Sequence, residues 1–187
     1  MAVQSQMIDL GTEAPPFELP AVNPDVDDRG GDTRSLSDYE DREAIVVVFM
    51  CNHCPYVQTI EDRLLRLARD MQARGVQFIG ICSNDPDRYP DDRPEALASR
   101  AREKDYPFPY LHDASQEVAR AYDAACTPDF FVFGRDRTLV YRGRLDDGTP
   151  RRPQTTTDLR DALDELLASG EITTEQIPSI GCSIKWK

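Results

Sequence analysis

Lysine is almost missing from this chain. Of 22 basic residues among 187, only Lys104, Lys185 and Lys187 are lysines, and they face 34 acidic residues, mostly aspartates. The resulting formal charge of −12 repels phosphate, which argues against nucleic acid and against anionic membrane surfaces as partners. An Asp- and Arg-rich, Lys-poor surface suits a high-salt cytoplasm, and a drift in genomic composition leaves the same mark. Long apolar runs are missing too: nothing approaches the roughly 18 residues of a membrane span. Met1 to Leu10 lacks the basic and apolar regions of an export signal, so a soluble cytoplasmic protein is the expectation. Cysteines are few and odd in number, 5 over a long chain, which is not the pattern of a secreted disulfide framework. No repeat or compositional break divides the chain, so residues 1–187 read as a single domain long enough for a real core.

What is present is a device for making a reactive thiolate. The run Val46-Val47-Val48-Phe49-Met50 ends in Cys51-Asn52-His53-Cys54-Pro55, and apolar residues then recur at Val57, Ile60, Leu64 and Leu67 until Gly75. The spacing predicts a buried strand over 44–50 and a helix from about 53 to 74. The unpaired N–H groups and positive dipole end of that helix favour an anionic sulfur. The first cysteine is therefore expected to ionise below the usual value of about 8.5.

Around this centre the chain alternates. Extended pieces near 17–19 and 33–35 suggest an opening hairpin or edge strands, and 36–41 one helical turn. A second buried strand over 76–83 completes a βαβ unit. A Pro- and Asp-rich loop runs to Pro94 and is followed by a helix over 95–104, an extended piece at 107–111 and a short helix at 116–122. Two β-like runs, 129–133 and 138–143, fit a hairpin. Leu159, Leu163, Leu166 and Leu167 mark a closing amphipathic helix, and the tail to Lys187 shows no clear periodicity. The expectation is an α/β fold, a central mixed sheet with helices on both faces. Its working site lies off the strand ends at 51–54 and 83–85.

Several segments carry a resemblance. Cys51-Asn52-His53-Cys54-Pro55-Tyr56-Val57, Ser83-Asn84-Asp85, Phe108-Pro109-Tyr110-Leu111, Cys126-Thr127-Pro128-Asp129-Phe130, Tyr141 to Asp147 and Gly181 to Trp186 occur in order. Together they resemble the redoxin branch of the thioredoxin-like superfamily, the peroxiredoxin-like proteins related to alkyl hydroperoxide reductase and thiol-specific antioxidant. The likeness covers about residues 8–187 and implies a thioredoxin-like fold with an N-terminal extension. It also implies that Pro128 is a cis-proline facing the dithiol and that Thr127 contacts an extended substrate peptide. There are departures. Val47 and Cys51 stand where peroxiredoxins carry the Pro and Thr that precede the peroxidatic cysteine, and Met50 stands where thioredoxins carry Trp.

The residues then take roles. Cys51 reads as the nucleophile and Cys54 as the resolving thiol of a thiol–disulfide oxidoreductase. His53 stabilises the Cys51 thiolate or merely starts the helix. Cys126 and Cys182 are auxiliary redox thiols or, respectively, core packing and a surface cysteine. Asp85 is a proton relay for Cys54 or a turn cap. Cys82 reads as core packing, His112 as structural, and Arg142 and Arg144 as surface ion pairs. No bound cofactor or metal is expected. The substrate is a protein or small-molecule disulfide, and electrons come from a thiol system. The alternatives are a thiol-dependent peroxidase acting on hydroperoxide and a non-enzymatic copper carrier using the paired soft thiolates.

Overall fold

The computed structural model describes residues 2–187. In chain order it runs β1 (Ala2–Gln4), β2 (Glu18–Pro20), β3 (Thr33–Ser35), β4 (Ala44–Phe49), α1 (Pro55–Gln72), β5 (Val76–Cys82) and α2 (Pro94–Glu103). It continues with β6 (Tyr110–His112), α3 (Glu117–Ala121), β7 (Cys126–Thr127), β8 (Asp129–Phe133), β9 (Leu139–Arg142), α4 (Asp158–Ser169) and β10 (Ile180–Ser183). No helix among the described residues is long and apolar enough to cross a membrane.

The main sheet has the order β6-β5-β4-β8-β9, with β4, β5 and β6 parallel and β8 and β9 antiparallel. Every residue of β4 and β5 is buried, as continuous apolar runs in a covered sheet require. The two-residue alternation of a strand divides β4 between two cores. Val46 and Val48 join a cluster with Leu64 of α1, Leu97 of α2 and Leu163 of α4. Ile45, Val47 and Phe49 join Tyr39, Ala119 of α3, Tyr122 and Phe131 on the other side. Each such side chain withdrawn from water contributes about 1.5–3 kcal/mol. The mixed sheet with helices on both faces is thus the predicted one.

Helix α1 starts later than its periodicity suggests, at Pro55, with Cys54 as its N-cap in extended conformation. Proline is preorganised for the first helical position and pushes the residue before it out of helical geometry. That shift of one cysteine matters for the chemistry below. The extended pieces near 17–19 and 33–35 do pair, as β2 and β3.

Two arginines anchor loops from inside. Arg34 is fully buried, paired with Asp27 at 2.8 Å, and donates to the carbonyls of Pro24, Gly30, Gly31 and Thr33. Arg142, read from the sequence as a surface partner, is also fully buried. It grips Asp129 at 2.5 and 3.1 Å and lies 3.8 Å over the Phe131 ring. The alternation of charges at 142–146 resembles a surface pattern, but β9 turns Arg142 inward onto β8, where Asp129 meets it. Arg144 pairs with Asp158 at 2.6 Å in a half-buried setting.

The tail is not irregular. β10 pairs antiparallel with both β1 and β7, making a small second sheet of order β1-β10-β7. Its short strands, with a glycine and a serine in β10, carry too little alternation to register as a pattern.

Replacing Arg142 with Met leaves Asp129 charged and unpaired in the core. Urea unfolding is expected to show a loss of about 3–5 kcal/mol; an unchanged midpoint would exclude a structural role for the pair.

Candidate active site

Because β4 and β5 are parallel neighbours, their carboxyl ends open on one edge. The loop after β4 carries Cys51 and Cys54, and the loop after β5 carries Ser83 to Asp92. Facing them is the β7–β8 corner, where the Thr127–Pro128 peptide is cis. Cys51 Sγ lies 3.4 Å from Thr127 Oγ1, and Cys54 Sγ lies 3.1 Å from the Thr127 carbonyl oxygen. Neither sulfur is open to solvent: Cys51 is 2% exposed and Cys54 0%. The C-terminal strand β10 lies alongside this corner, with Cys182 opposite Thr127.

The charge also sits elsewhere than expected. Cys54 is the N-cap residue of α1, at the positive end of the helix dipole. Its pKa is lowered to about 4 by the Cys51 thiol and, against the opposing effect of burial, by Thr127, Cys182 and the Val57 N–H. Cys51 is pushed well above the ordinary thiol range by its Cys54 neighbour, by burial and by the negative charge of Asp92. The pair therefore shares one proton, with the thiolate on Cys54 and the S–H on Cys51. A helix that begins at Pro55 rather than at residue 53 puts the favourable field on the second cysteine.

Asp92 is the site residue that sequence reasoning missed. Fully buried, its carboxylate accepts from the Asn52 N–H at 2.8 Å, from Asn84 Nδ2 at 2.8 Å and from His53 Nδ1 at 2.6 Å. Burial alone would raise its pKa, but the bonds from His53, Asn84 and Asn52 hold it below the usual carboxyl value. His53 is raised in turn, first by its hydrogen bond to Asp92, and it stacks on Tyr89 at 5.0 Å. The imidazolium charge expected at the Cys51 thiolate is instead held by a carboxylate. Asp92 is one of several aspartates in a proline-rich loop, with nothing in the local pattern to mark it.

Asp85, the expected relay, accepts from the Asp87 N–H at 3.1 Å, and its own N–H bonds the Lys185 carbonyl; it caps its turn, and the carboxylate near Cys51 is Asp92. Cys126 is buried, with its thiol toward the Pro128 carbonyl at 3.5 Å, and burial pushes its pKa far up. Cys82 is buried in the core and likewise raised by burial. His112 is buried and lowered by that burial. Cys182 sits on β10 opposite Thr127 and packs against the core cluster that contains Cys51 and Cys54. The backbone edge of Thr127, expected to receive a substrate peptide, is thus occupied by the chain's own β10. Beside Pro128 the surface opens into a cleft lined by Tyr56, Ile60, Arg144, Asp146 and Ile180.

Cys51, His53 and Asp92 bring ligand atoms within 4.8 Å of one another. His53 Nδ1 and both Asp92 carboxylate oxygens are already engaged in hydrogen bonds, so these side chains stand arranged as a hydrogen-bonded network.

A βαβ unit continued by an antiparallel hairpin, with two cysteines at the head of the first long helix and a cis-proline facing them, defines a thioredoxin-like fold. The sequence pattern of the AhpC/TSA family matches residues 10–142, and the chain belongs to that family. It is similar to an uncharacterized conserved protein from Geobacillus kaustophilus, at 50% identity and TM-score 0.92 over 100% of this chain and 97% of that one. It is also similar to a hypothetical protein from Sinorhizobium meliloti 1021, at 42% identity and TM-score 0.91, covering 98% of each. A thioredoxin-family thiol:disulfide interchange protein from Chlorobium tepidum TLS shares the fold at 17% identity and TM-score 0.62, over 87% of this chain and 100% of that one. No curated protein matches the sequence. Family and fold together support a thioredoxin-like redox function.

Two titrations probe the charges. Thiolate absorbance in the ultraviolet should persist down to about pH 4 and vanish at neutrality in Cys54→Ser; survival of the signal in that variant would put the charge on Cys51. For the ion pair, the His53 contribution to stability is complete below the ordinary histidine value of 6.5 and fades as pH rises through the raised folded value. The Asp92 contribution is complete above 3.8 and fades as pH falls through the lowered one. Asp92→Asn is expected to return the NMR titration of His53 toward 6.5, and an unmoved His53 would refute the pairing.

Proposed function

We propose that this protein is a thiol–disulfide oxidoreductase that cycles Cys51 and Cys54 between dithiol and disulfide. The observation that carries the reading is the pair of thiols at an α-helix N-terminus, both set against the cis Thr127–Pro128 corner. Cys51 attacks a substrate disulfide while its proton passes to the Cys54 thiolate. A mixed disulfide forms on Cys51, and one half of the substrate leaves as a thiolate. Cys54, at the position where its proton is held most weakly, then loses it to solvent and displaces the second half. The net change is one disulfide reduced and the Cys51–Cys54 bond formed. His53 and Asp92 position the loop through the Asn52 N–H. The substrate, a protein or small-molecule disulfide, is received at the cleft beside Pro128, and a thiol system restores the dithiol. No resident cofactor is needed, and the setting is cytoplasmic. The motif Cys51-Asn52-His53-Cys54-Pro55 marks the branch of the family to which this chemistry belongs.

A second reading, a thiol peroxidase, is favoured by the family match itself. There hydroperoxide converts one cysteine to a sulfenic acid, and another thiol condenses with it to a disulfide and water. Val47 and Cys51 in place of the supporting Pro and Thr argue against it.

The assignment is tested by measuring reduction of a disulfide peptide and consumption of hydroperoxide side by side. Cys51→Ser and Cys54→Ser should each slow disulfide reduction by roughly 100-fold or more, since one sulfur cannot complete a two-electron exchange. Cys54→Ser should also accumulate mixed disulfides on Cys51. Hydroperoxide consumption surpassing disulfide reduction would reverse the order of the two readings.

A further inference from the structure

β10 lies where a substrate strand would lie. Cys182 is opposite Thr127 and Ser183 opposite Cys126, so the tail runs along the residue that precedes the cis-proline. Gly181 makes the approach possible: a Cβ there would come within 2.0 Å of the Thr127 carbonyl oxygen and 2.6 Å of its carbon, a distance no side chain tolerates. On its other edge β10 is held by β1, with Ala2 opposite Cys182. Beyond it the Lys185 N–H donates to Asn84 Oδ1 at 2.8 Å and the Lys185 carbonyl accepts from Asp85 N–H at 2.8 Å. The strand is thus held along its edge and beyond its end, and its thiol packs against the core cluster that holds Cys51 and Cys54, opposite the Thr127 whose carbonyl lies 3.1 Å from Cys54 Sγ. Of the three sulfurs gathered there, Cys51 and Cys54 are closed off and Cys182 is partly open to solvent.

We infer that Cys182 is a relay thiol that carries the disulfide from the buried Cys51–Cys54 pair to the surface, where an external thiol meets it. This rests on the dithiol reading above. In the oxidised protein Cys182 Sγ attacks Cys54 Sγ. The Cys54–Cys182 bond forms, the Cys51–Cys54 bond breaks, and Cys51 leaves with the electron pair and takes up the proton that Cys182 releases. The exchange is balanced within the chain and needs no outside oxidant or reductant. One molecule of an external monothiol then attacks Cys182 and releases Cys54 as a thiolate, a good leaving group at the helix N-cap. A second molecule frees Cys182 and departs as the disulfide of the monothiol.

The arrangement also orders the steps. While Cys54 is a thiolate, burial and that neighbouring sulfur push the Cys182 pKa up to about 11, and Cys182 serves only as a donor. Once Cys54 enters a disulfide its negative charge is gone, whereas the Lys185 cation that lowers the Cys182 pKa remains. Oxidation of the pair therefore activates the relay.

The test oxidises the full chain with oxidised glutathione, quenches in acid, alkylates, and maps disulfides by peptide mass spectrometry. Wild type is expected to hold both Cys51–Cys54 and Cys54–Cys182 bonds, and Cys51→Ser to hold Cys54–Cys182. Gly181→Ala, which forces β10 off Thr127, should lower the Cys54–Cys182 share by roughly fivefold or more. Reduction of the oxidised protein by glutathione should slow by roughly tenfold or more in Cys182→Ser. A wild type that forms Cys51–Cys54 with no Cys54–Cys182 in either protein, or a Cys182→Ser variant reduced at the wild-type rate, overturns the relay and leaves the dithiol reading standing. A wild type that forms no Cys51–Cys54 bond overturns both.

Discussion

The negative charge of Asp92, held with no access to water, is the constraint on which the site depends. A buried carboxylate is tolerable only where hydrogen bonds replace its hydration, and here the donors are three residues from two segments. Asn52 and His53 lie in the loop between the cysteines, and Asn84 terminates the neighbouring strand. Satisfying one charge therefore ties the loop that bears both sulfurs to the end of β5. The same charge acts on the sulfurs directly, disfavouring an anion at Cys51, while the helix N-terminus favours one at Cys54. Position along the chain and position in the field are separate matters, and a displacement of the helix start by two residues exchanges the electrostatic roles of two otherwise similar thiols.

A second constraint is the edge of β7. An unpaired strand edge beside a reactive centre is a place where another chain can add. This protein fills it with its own C-terminal segment, at a separation only glycine permits. The family pattern ends at Arg142, before this segment, whereas the structure from Geobacillus kaustophilus covers the whole chain. The tail is laid along the β7 edge beside the two helix-heading cysteines, and it brings a further sulfur with it.

Much of this was legible in the sequence, and the limits have physical causes. The parallel pair β4 and β5, the helix between them and the hairpin of β8 and β9 follow from apolar runs and periodicity, which report burial directly. The proximity of Cys51, Cys54 and the Thr127–Pro128 corner follows from the resemblance to the redoxins. What a linear pattern cannot carry is pairing between distant short segments. β10 meets β1 and β7 through two to three residues each, and neither contact leaves a period to read. Charged residues mislead for a related reason. Asp92, Arg142 and Arg34 look like surface, and they are buried because partners far along the chain, or in the folded loop itself, neutralise them. The helix start is a finer failure: Pro55 carried the signal for its own position, and the periodicity of the apolar face outweighed it.

Trp186, the single tryptophan of the chain, follows β10 directly and packs beneath the Arg120 guanidinium, 4.4 Å from its ring. Its indole is consequently an intrinsic optical reporter of whether the tail is seated. Lifting the strand removes a stacked cation and admits water to the ring, so tail movement can be followed by emission in the native chain, with no dye attached.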